Sequence, residues 1–559
     1  MSDPWHDAPR IAIGRAADGR IVAAAPGGVR RTFATAEFPA WVASREAERA
    51  VRWVWASTSE VYPTLLDAGV RVARCHDLRL CHAILRNAAT PLHIAEDVDW
   101  LAPDEAHEPA LFELDRSRRD DLDEVLRELA RQDAALEGLA NAGRMRLLLA
   151  AESAGALVAA EARAAGVPWS ADHHAAILEE VLGPRGAGGV PAHMTRLAAE
   201  VRSALEDPTL SLDSPPQLLR ALRAAGMQVS STSKWELQEI DHPVVMPLLE
   251  YKRLARLLTA NGWAWLDTWV RHGRFRPVYV PGGVVTGRWA AAGGGALQIP
   301  RQLRGALRAD PGWVIVDADV AQLEPRVLAA MARDERMATA ARGRDLYDGV
   351  VDSGAVASRA EAKIAVLGAM YGATTGDSGR LVPRLRRAYP RAMALVDGAA
   401  KTGEQGGSVS TWLGRTSPAL DDAAQRIQAR ASAADASAAD EQLALRAARE
   451  HGRFTRNFVV QGTAAEWALA WMADLRLRLA RFPAVDPEGA AIASGSVFGR
   501  RAHIAFFLHD EVIVHAPSEQ ADDVAEALRE SAAAAGRLLF GSFPVDFPLD
   551  VKVGQSAGK

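Results

Sequence analysis

Cysteine is almost missing from this chain of 559 residues: only Cys75 and Cys81 are present. That excludes a disulfide scaffold, and the two are not spaced among other ligands like a zinc site. Lysine is also scarce. Of 65 basic residues only Lys234, Lys252, Lys363, Lys401, Lys552 and Lys559 are lysines, so a lysine inside a motif stands out. No stretch approaches the ~18 uncharged apolar residues of a membrane span. The start, Met1 to Asp7, has neither a basic nor an apolar region of the secretory kind. The expectation is a soluble cytoplasmic protein without membrane contact. With 49% hydrophobic and 24% charged residues, disorder is excluded as the main state. At roughly 100–200 residues per domain, three to five domains are expected.

A basic excess is lacking too, since the formal net charge is −5. The distribution matters more than the total. Seven arginines and no acid lie between Arg271 and Arg308. Glu96 to Glu137, by contrast, is dense in Asp and Glu. An arginine-rich stretch fits a solvated face as well as a phosphate track, so charge alone decides nothing.

Along the chain, residues 1–90 read as α/β, with short apolar runs such as Trp53-Val54-Trp55 alternating with helical patterns at 60–67 and 77–86. The acidic, proline-containing residues 95–116 read as a connection. A mostly helical pattern covers 117–265, broken at Val167-Pro168, Gly183-Pro184 and Ser214-Pro215-Pro216. Short strands and turns are expected over 277–316 and helices over 321–400. Residues 428–450 read as an alanine-rich insertion and 482–500 as a loop. A hairpin over 503–516 precedes a last helix over 519–540. No internal repeat is visible.

Three segments carry chemistry. The apolar strand Trp313-Val314-Ile315-Val316 runs into Asp317-Ala318-Asp319 and a helix predicted from Val320 to Ala332. Alternation faces both aspartates to one side, although Asp before a helix is also a capping pattern. In the second segment, His509-Asp510-Glu511 sits between two apolar β-rich runs. Acids at a turn between buried strands are costly unless something compensates them. A divalent cation does, and a solvated turn is the alternative. The third segment spaces Arg359, Lys363, Leu367 and Tyr371 four apart on a helix ending Tyr371-Gly372. That row spans ~18 Å, enough for a nucleoside triphosphate. A salt-bridged surface helix is the competing reading.

Taken in order, these segments resemble the family A DNA polymerases, the group of the bacterial DNA polymerase I large fragment. Asp319-Val-Ala-Gln322-Leu-Glu324-Pro-Arg326 is similar to the first palm motif. Arg359 to Gly372 is similar to the fingers helix, and His509-Asp510-Glu511 to the second palm motif. Thr286-Gly287-Arg288 with Leu297-Gln298-Ile299-Pro300 resembles the entry to the palm. Ser231-Thr232-Ser233 with His242-Pro243 and Leu249-Glu250-Tyr251 resembles the thumb-to-palm approach. Arg453, Asn457 and Gln461-Gly462-Thr463 resemble the helix that touches template and primer. The resemblance covers about 140–559.

It implies a multidomain α/β right hand with an antiparallel palm sheet, helical fingers and thumb, and a degenerate exonuclease-like α/β domain in front. The implied divisions are 1–140 for that domain, 141–285 for the thumb and approach, 286–340 and 455–559 for the palm, and 341–454 for the fingers. The implied activity is that of a DNA-directed DNA polymerase, a monomer adding dNTPs to primer–template DNA, in repair or gap filling and at the nucleoid when bound. Two Mg²⁺ ions on Asp319 and Asp510 are implied, with Glu511 a weaker ligand. Arg359 and Lys363 would grip the triphosphate, Lys363 also giving a proton to pyrophosphate. Gln322, Glu324, Tyr347, Leu367 and Tyr371 would line the nucleotide pocket, Glu324 crowding the sugar 2′ position. Arg288, Gln298, Arg453, Asn457, Gln461 and His509 would touch DNA without reading its sequence.

Some positions depart from the family pattern. Leu367 stands where an aromatic is usual, Val320 replaces a tyrosine, and Tyr347 stands for a histidine. A slower or more permissive enzyme is implied. The Asp-x-Glu pair of the exonuclease is absent from residues 11–50, Val61 falls where the second-motif aspartate belongs, and Leu129 replaces the third-motif tyrosine, leaving Asp133 alone. No proofreading is therefore expected, and no 5′-nuclease domain. The rivals are an idle primer–template-binding protein, against which the full Asp319, Asp510, Arg359 and Lys363 set speaks, and an RNA polymerase, against which Glu324 speaks.

Overall fold

The computed structural model describes residues 5, 8–16, 18–88, 100–101, 118–186, 189–373 and 376–558. Most of the acidic connection expected over 95–116 lies outside them. Among the described residues no helix is long and apolar enough to cross a membrane.

The first sheet has five strands: β1 (Arg10–Arg15), β2 (Ile21–Ala24), β3 (Arg30–Phe33), β4 (Arg52–Trp55) and β5 (Arg74–Asp77), in the order β3-β2-β1-β4-β5. β1, β4 and β5 are parallel, whereas β2 and β3 are antiparallel additions. Parallel strands are covered on both faces, and the fully buried Trp53, Val54 and Trp55 of β4 fit that position. Helix α1 (Thr58–Asp67) follows β4, and α2 (Leu122–Glu137) lies against β1. Asp121 caps α2 through the N–H groups of Asp123 and Glu124.

Helix α3 (Ala142–Ala165) is shared between two halves of the molecule. Leu157 and Ala165 belong to the core of the first sheet, while Leu148, Leu149 and Val158 belong to the large core behind the second. The breaks expected at 167–168, 183–184 and 214–216 are all real. Gly166 and Gly183 end the helices before them with positive φ, and Pro215 starts a helix. Helix α4 (Val245–Asn261) completes the helical region before the second sheet.

That sheet is antiparallel throughout, with β6 (Trp313–Val320), β7 (His503–Leu508), β8 (Glu511–Pro517) and β9 (Leu549–Gly554) in the order β7-β8-β6-β9. The hairpin expected over 503–516 is β7–β8. The strand expected to end at Asp319 continues to Val320, and the helix expected from Val320 begins at Leu323, as α5 (Leu323–Met331). A second core holds α6 (Leu346–Asp352), α7 (Arg359–Tyr371), α8 (Gly376–Ala388) and α9 (Pro390–Glu404) together. Helix α10 (Asp422–Ala431) turns back onto α11 (Ala438–Leu479), so the alanine-rich insertion is a helical hairpin. α11 has 42 residues, about 63 Å, and runs from the hairpin through the core to the first sheet. Helix α12 (Ala521–Phe540) closes the back of the second sheet.

One buried ion cluster joins the two sheets. Arg476 near the end of α11 donates to both Glu161 oxygens of α3 (2.9 and 2.5 Å) and to the carbonyls of Val72 and Ala73 (the latter at 2.8 Å). Arg71 adds two bonds of 3.0 Å and Tyr62 one of 2.6 Å to the same carboxylate. Burial alone raises the Glu161 pKa. Arg476 and Arg71 outweigh it and hold the carboxyl down at about 2.

Because that lies below the ordinary value of 4.5, the contribution of Glu161 is complete above pH 4.5 and is lost as the pH falls through 2, a change on the order of 3 kcal/mol. Glu161→Gln is expected to lower stability at neutral pH by about 3 kcal/mol. It should also flatten the acid limb of a urea-unfolding pH series between pH 5 and 2. An unchanged midpoint would contradict this.

Candidate active site

The second sheet gathers acids at one end. Asp319 lies opposite Glu511 on β8 and Asp550 on β9, and Asp317 lies opposite Lys552. Directly opposed residues share a face, as do residues two apart. Asp317, Asp319, Glu511, Asp550 and Lys552 therefore project together. Asp319 is not a helix cap, because the cap position of α5 belongs to Gln322.

Asp510 reaches the same end from the β7–β8 turn. Its N–H donates to the Leu508 carbonyl (2.7 Å), and its own carbonyl accepts from the N–H of Val320 (2.9 Å). That second bond ties the turn to the end of β6. His509 in the turn has φ +58° and Gln322 after the strand has φ +50°. Non-glycine residues in this region are held at a cost of about 1 kcal/mol or more, and the two flank Asp510 and Asp319.

The charges are unbalanced. Arg304 forms a two-pronged bond with buried Glu511 (2.5 Å on each prong). Lys552 holds Asp550 at 2.6 Å. Burial and the charge of Asp319 push the Asp510 pKa up to about 6. Burial, Glu511 and Asp550 raise that of Asp319. Burial and Glu511 push Asp317 up to about 7, and one Asp317 oxygen is buried without a hydrogen-bond partner. Mutual repulsion of this kind is what a bound cation relieves. Among the described residues no group of three or more His, Cys, Asp and Glu is arranged to hold a metal by itself. Asp319 and Asp510 fit instead the habit of Mg²⁺, which takes one or two carboxylates and completes its shell with water and substrate phosphates.

A cavity of about 250 Å³ opens beside Asp510, lined by Arg288, Trp289, Leu323, Glu324, Tyr371 and His509 among others. Glu324 on α5 accepts from Arg288 and from the Tyr371 hydroxyl (2.7 Å). The last turn of α7 is thereby held across the cavity. Burial and Glu324 raise the Tyr371 pKa. Gly287, with φ +88°, precedes Arg288. A side chain there would meet the Arg415 guanidinium at 2.7 Å, so glycine is required by both conformation and space. Arg415 is fixed in turn by buried Glu152 (2.6 Å).

On α7, Arg359 pairs with Asp345 (2.7 Å) and lies over the Tyr347 ring (5.5 Å). Lys363 is exposed, and Leu367 is half-buried against the second core. Asp345 caps α6 and accepts from Gln322 (3.0 Å), whose oxygen accepts from the Leu346 N–H (3.2 Å). Gln322, expected at the nucleotide, thus has both ends of its amide engaged by the α6 segment. Of the expected DNA-facing residues, Arg453, Asn457 and Gln461 form a row on α11, and the Thr286 hydroxyl donates to Gln461 (2.9 Å). Gln298 is exposed. Burial and Arg288 lower the His509 pKa. Arg304, Asp345 and Asp550 have no role in the sequence reading. The Asp-x-Lys alternation of 549–554 was the available signal for the last.

Among the described residues, the first sheet offers no comparable site. Asp133 pairs with Arg10 through bonds of 2.9 and 3.0 Å. At the end of β1, a side chain at Gly14 would come within 2.5 Å of the Leu122 backbone. Val61 and Leu129 are half-buried against apolar neighbours.

The sequence matches the family model of DNA polymerase family A over residues 189–559. It is 27% identical over 408 residues to the thermostable DNA polymerase I of Thermus thermophilus, covering 65% of this chain and 43% of that one. With DNA polymerase I of Chloroflexus aurantiacus it shares 28% over 348 residues, 57% of this chain and 33% of that one. The chain thus spans less than half the length of these curated relatives. Its fold matches the POL domain of Pol1 from M. smegmatis, solved in complex with DNA primer-template and dNTP, at a TM-score of 0.69 and 17% identity, over 99% of this chain and 96% of the other. The fold is accordingly that of a right-hand polymerase, with the second sheet as its antiparallel palm.

Removing Arg304 leaves buried Glu511 uncompensated among acids. Arg304→Ala is expected to cost about 2–4 kcal/mol at pH 8. The loss should shrink towards pH 5, because acids with raised pKa protonate there and stop repelling. Millimolar Mg²⁺ should recover part of it. Thermal unfolding at the two pH values checks this, and a pH-independent loss would contradict it.

Proposed function

We infer, starting from a chain that belongs to DNA polymerase family A, that it extends a primer along a template strand with deoxynucleotides. The observation that carries this is the junction of Asp319 and Asp510, tied together by the Val320–Asp510 backbone bond at the edge of a cavity closed by α7. When bound there, two Mg²⁺ ions supply acidity to the primer 3′-hydroxyl and neutralise triphosphate and pyrophosphate. The chain's own residues do the rest. Arg359, fixed by Asp345 and Tyr347, and the exposed Lys363 receive the triphosphate from the α7 side. Release of Tyr371 from Glu324 opens the cavity to a base pair, and Glu324 then stands against the sugar 2′ position. The 3′-hydroxyl gives its proton to water, its oxygen bonds to the α-phosphorus, the α–β phosphate bond breaks, and Lys363 protonates the leaving pyrophosphate. Arg288, Gln298, His509 and the row Arg453, Asn457, Gln461 hold primer and template by shape and charge, so binding is salt-sensitive and sequence-neutral.

The divisions at 140, 285, 340 and 454, a monomeric state, action in repair or gap filling, and residence in the cytoplasm at the nucleoid belong to the same reading. So does a permissive pocket, in which Leu367 offers no ring to the sugar and Val320 no hydroxyl. The exonuclease-like domain is read as inactive. The Arg10–Asp133 pair and the backbone packed on Gly14 support this, since a two-metal nuclease needs several converging carboxylates.

A primer-extension assay with Mg²⁺ tests the whole. Wild type should extend with dNTPs, and Asp510→Asn should slow extension by about 10³-fold or more. Without nucleotides the primer should keep its length. Undiminished extension by Asp510→Asn, or primer shortening in the nucleotide-free lane, would sink the corresponding half of the reading. Binding without extension in the wild type would leave an idle DNA-binding protein. Separately, Glu324→Ala should raise ribonucleotide use relative to deoxynucleotides by about 10²-fold (a penalty of about 3 kcal/mol removed); an unchanged ratio would remove Glu324 from sugar selection.

A further inference from the structure

The helical hairpin of α10 and the first turns of α11 has no part in the catalytic reading, yet it is continuous with it. α11 is one unbroken helix, and Arg453 and Asn457 of the template row lie on it. At 3.6 residues per turn, Gln442, Arg446, Arg449, Arg453 and Asn457 fall within about 80° of one another around its axis. Ala444, Ala447, Ala448 and His451 fall on the opposite side. Burial follows the same division: those four are partly covered where α10 packs, while Gln442, Arg446, Arg449 and Arg453 are exposed.

The acids of the hairpin offset this face only in part. Asp435 and Asp440 are engaged by Arg430 at the tip, and Glu450 lies 3.9 Å from Arg453. Arg446 and Arg449 have no ion pair among the described residues. Arg449 and Arg453 also line one groove, of about 510 Å³, with Gly372, the cap residue of α7 beside Tyr371. From Arg453 to Arg446 the helix advances about 10 Å. The stripe therefore leads away from the cavity along the exposed face of α11.

We propose that Arg446 and Arg449 bind phosphates of the single-stranded template ahead of the nucleotide being copied, so that the hairpin is an added template guide. This rests on the polymerase reading above. Two guanidinium groups on a backbone give affinity without sequence preference and a contact that salt weakens.

Fluorescence anisotropy on the full chain tests it, with labelled primer–templates carrying a template overhang of one or twelve nucleotides. Wild type should bind the long overhang about five- to tenfold more tightly at low salt. Arg446→Ala/Arg449→Ala should abolish that preference, lower the log–log salt slope on the long overhang by about 1.4, and leave the short overhang bound and extended. Arg196→Ala/Arg529→Ala, which removes the same charge elsewhere, should keep the preference. A double variant that keeps the wild-type preference, or that weakens both overhangs equally, overturns the proposal. So does an effect confined to a gapped duplex, which would move the contact to the downstream strand. A wild type that binds both overhangs equally overturns this inference alone; one that binds neither overturns the polymerase reading with it.

Discussion

Like charges crowded at the end of a buried sheet are the constraint on which the rest of this molecule depends. Asp317, Asp319, Glu511 and Asp550 share one face because strand register leaves them no other choice, and Asp510 is drawn in by the Val320 N–H. Arg304 and Lys552 each answer one acid, which leaves the others raised in pKa and short of positive charge. A fold does not keep such a deficit for stability's sake. On the proposed function, what it gains is a place ready to take cations and, through them, a triphosphate.

Rigid support follows from the same need. The palm sheet is backed by α3, α11 and α12, and α11 is pinned to the first sheet by Arg476 on Glu161. Read in this light, the first domain is a brace. The Leu122 backbone packed on Gly14 and the Arg10–Asp133 pair add packing and ion pairing to it. On the other side, the Arg288–Glu324–Tyr371 contact spans the cavity from α5 to α7. It is only partly buried and built of single hydrogen bonds, unlike the Glu161 cluster. The molecule is thus tight at the junction of its sheets and more loosely latched across the cavity.

Much of this was legible in the sequence. The helix Arg359–Tyr371, the β7–β8 hairpin and the proline and glycine breaks lie where periodicity and turn residues put them, because local rules govern them. The parts that escaped are long-range. Whether Asp317 and Asp319 cap a helix or face a site depends on how far β6 continues, and pairing with Asp550 of β9 decides that. Arg304 was one of seven arginines in an acid-free stretch, and only the fold brings it to Glu511. Gln322 sits inside a recognisable motif, but its left-handed backbone and the reach of Asp345 turn its amide to the fingers. The alanine-rich insertion gave away its composition and not its shape: alanines on one side of α11 are the seat for α10, which frees the arginines on the other.

The central claim is that Asp319 and Asp510 together form the cation-binding heart of the site. It is tested most directly by crystallising the chain with a dideoxy-terminated primer–template, the next dNTP and Mn²⁺, and locating manganese by its anomalous signal. Metal is expected between the Asp319 and Asp510 carboxylates and the triphosphate, with Tyr371 released from Glu324. Manganese bound only elsewhere, or a nucleotide seated with no metal on either aspartate, would contradict it.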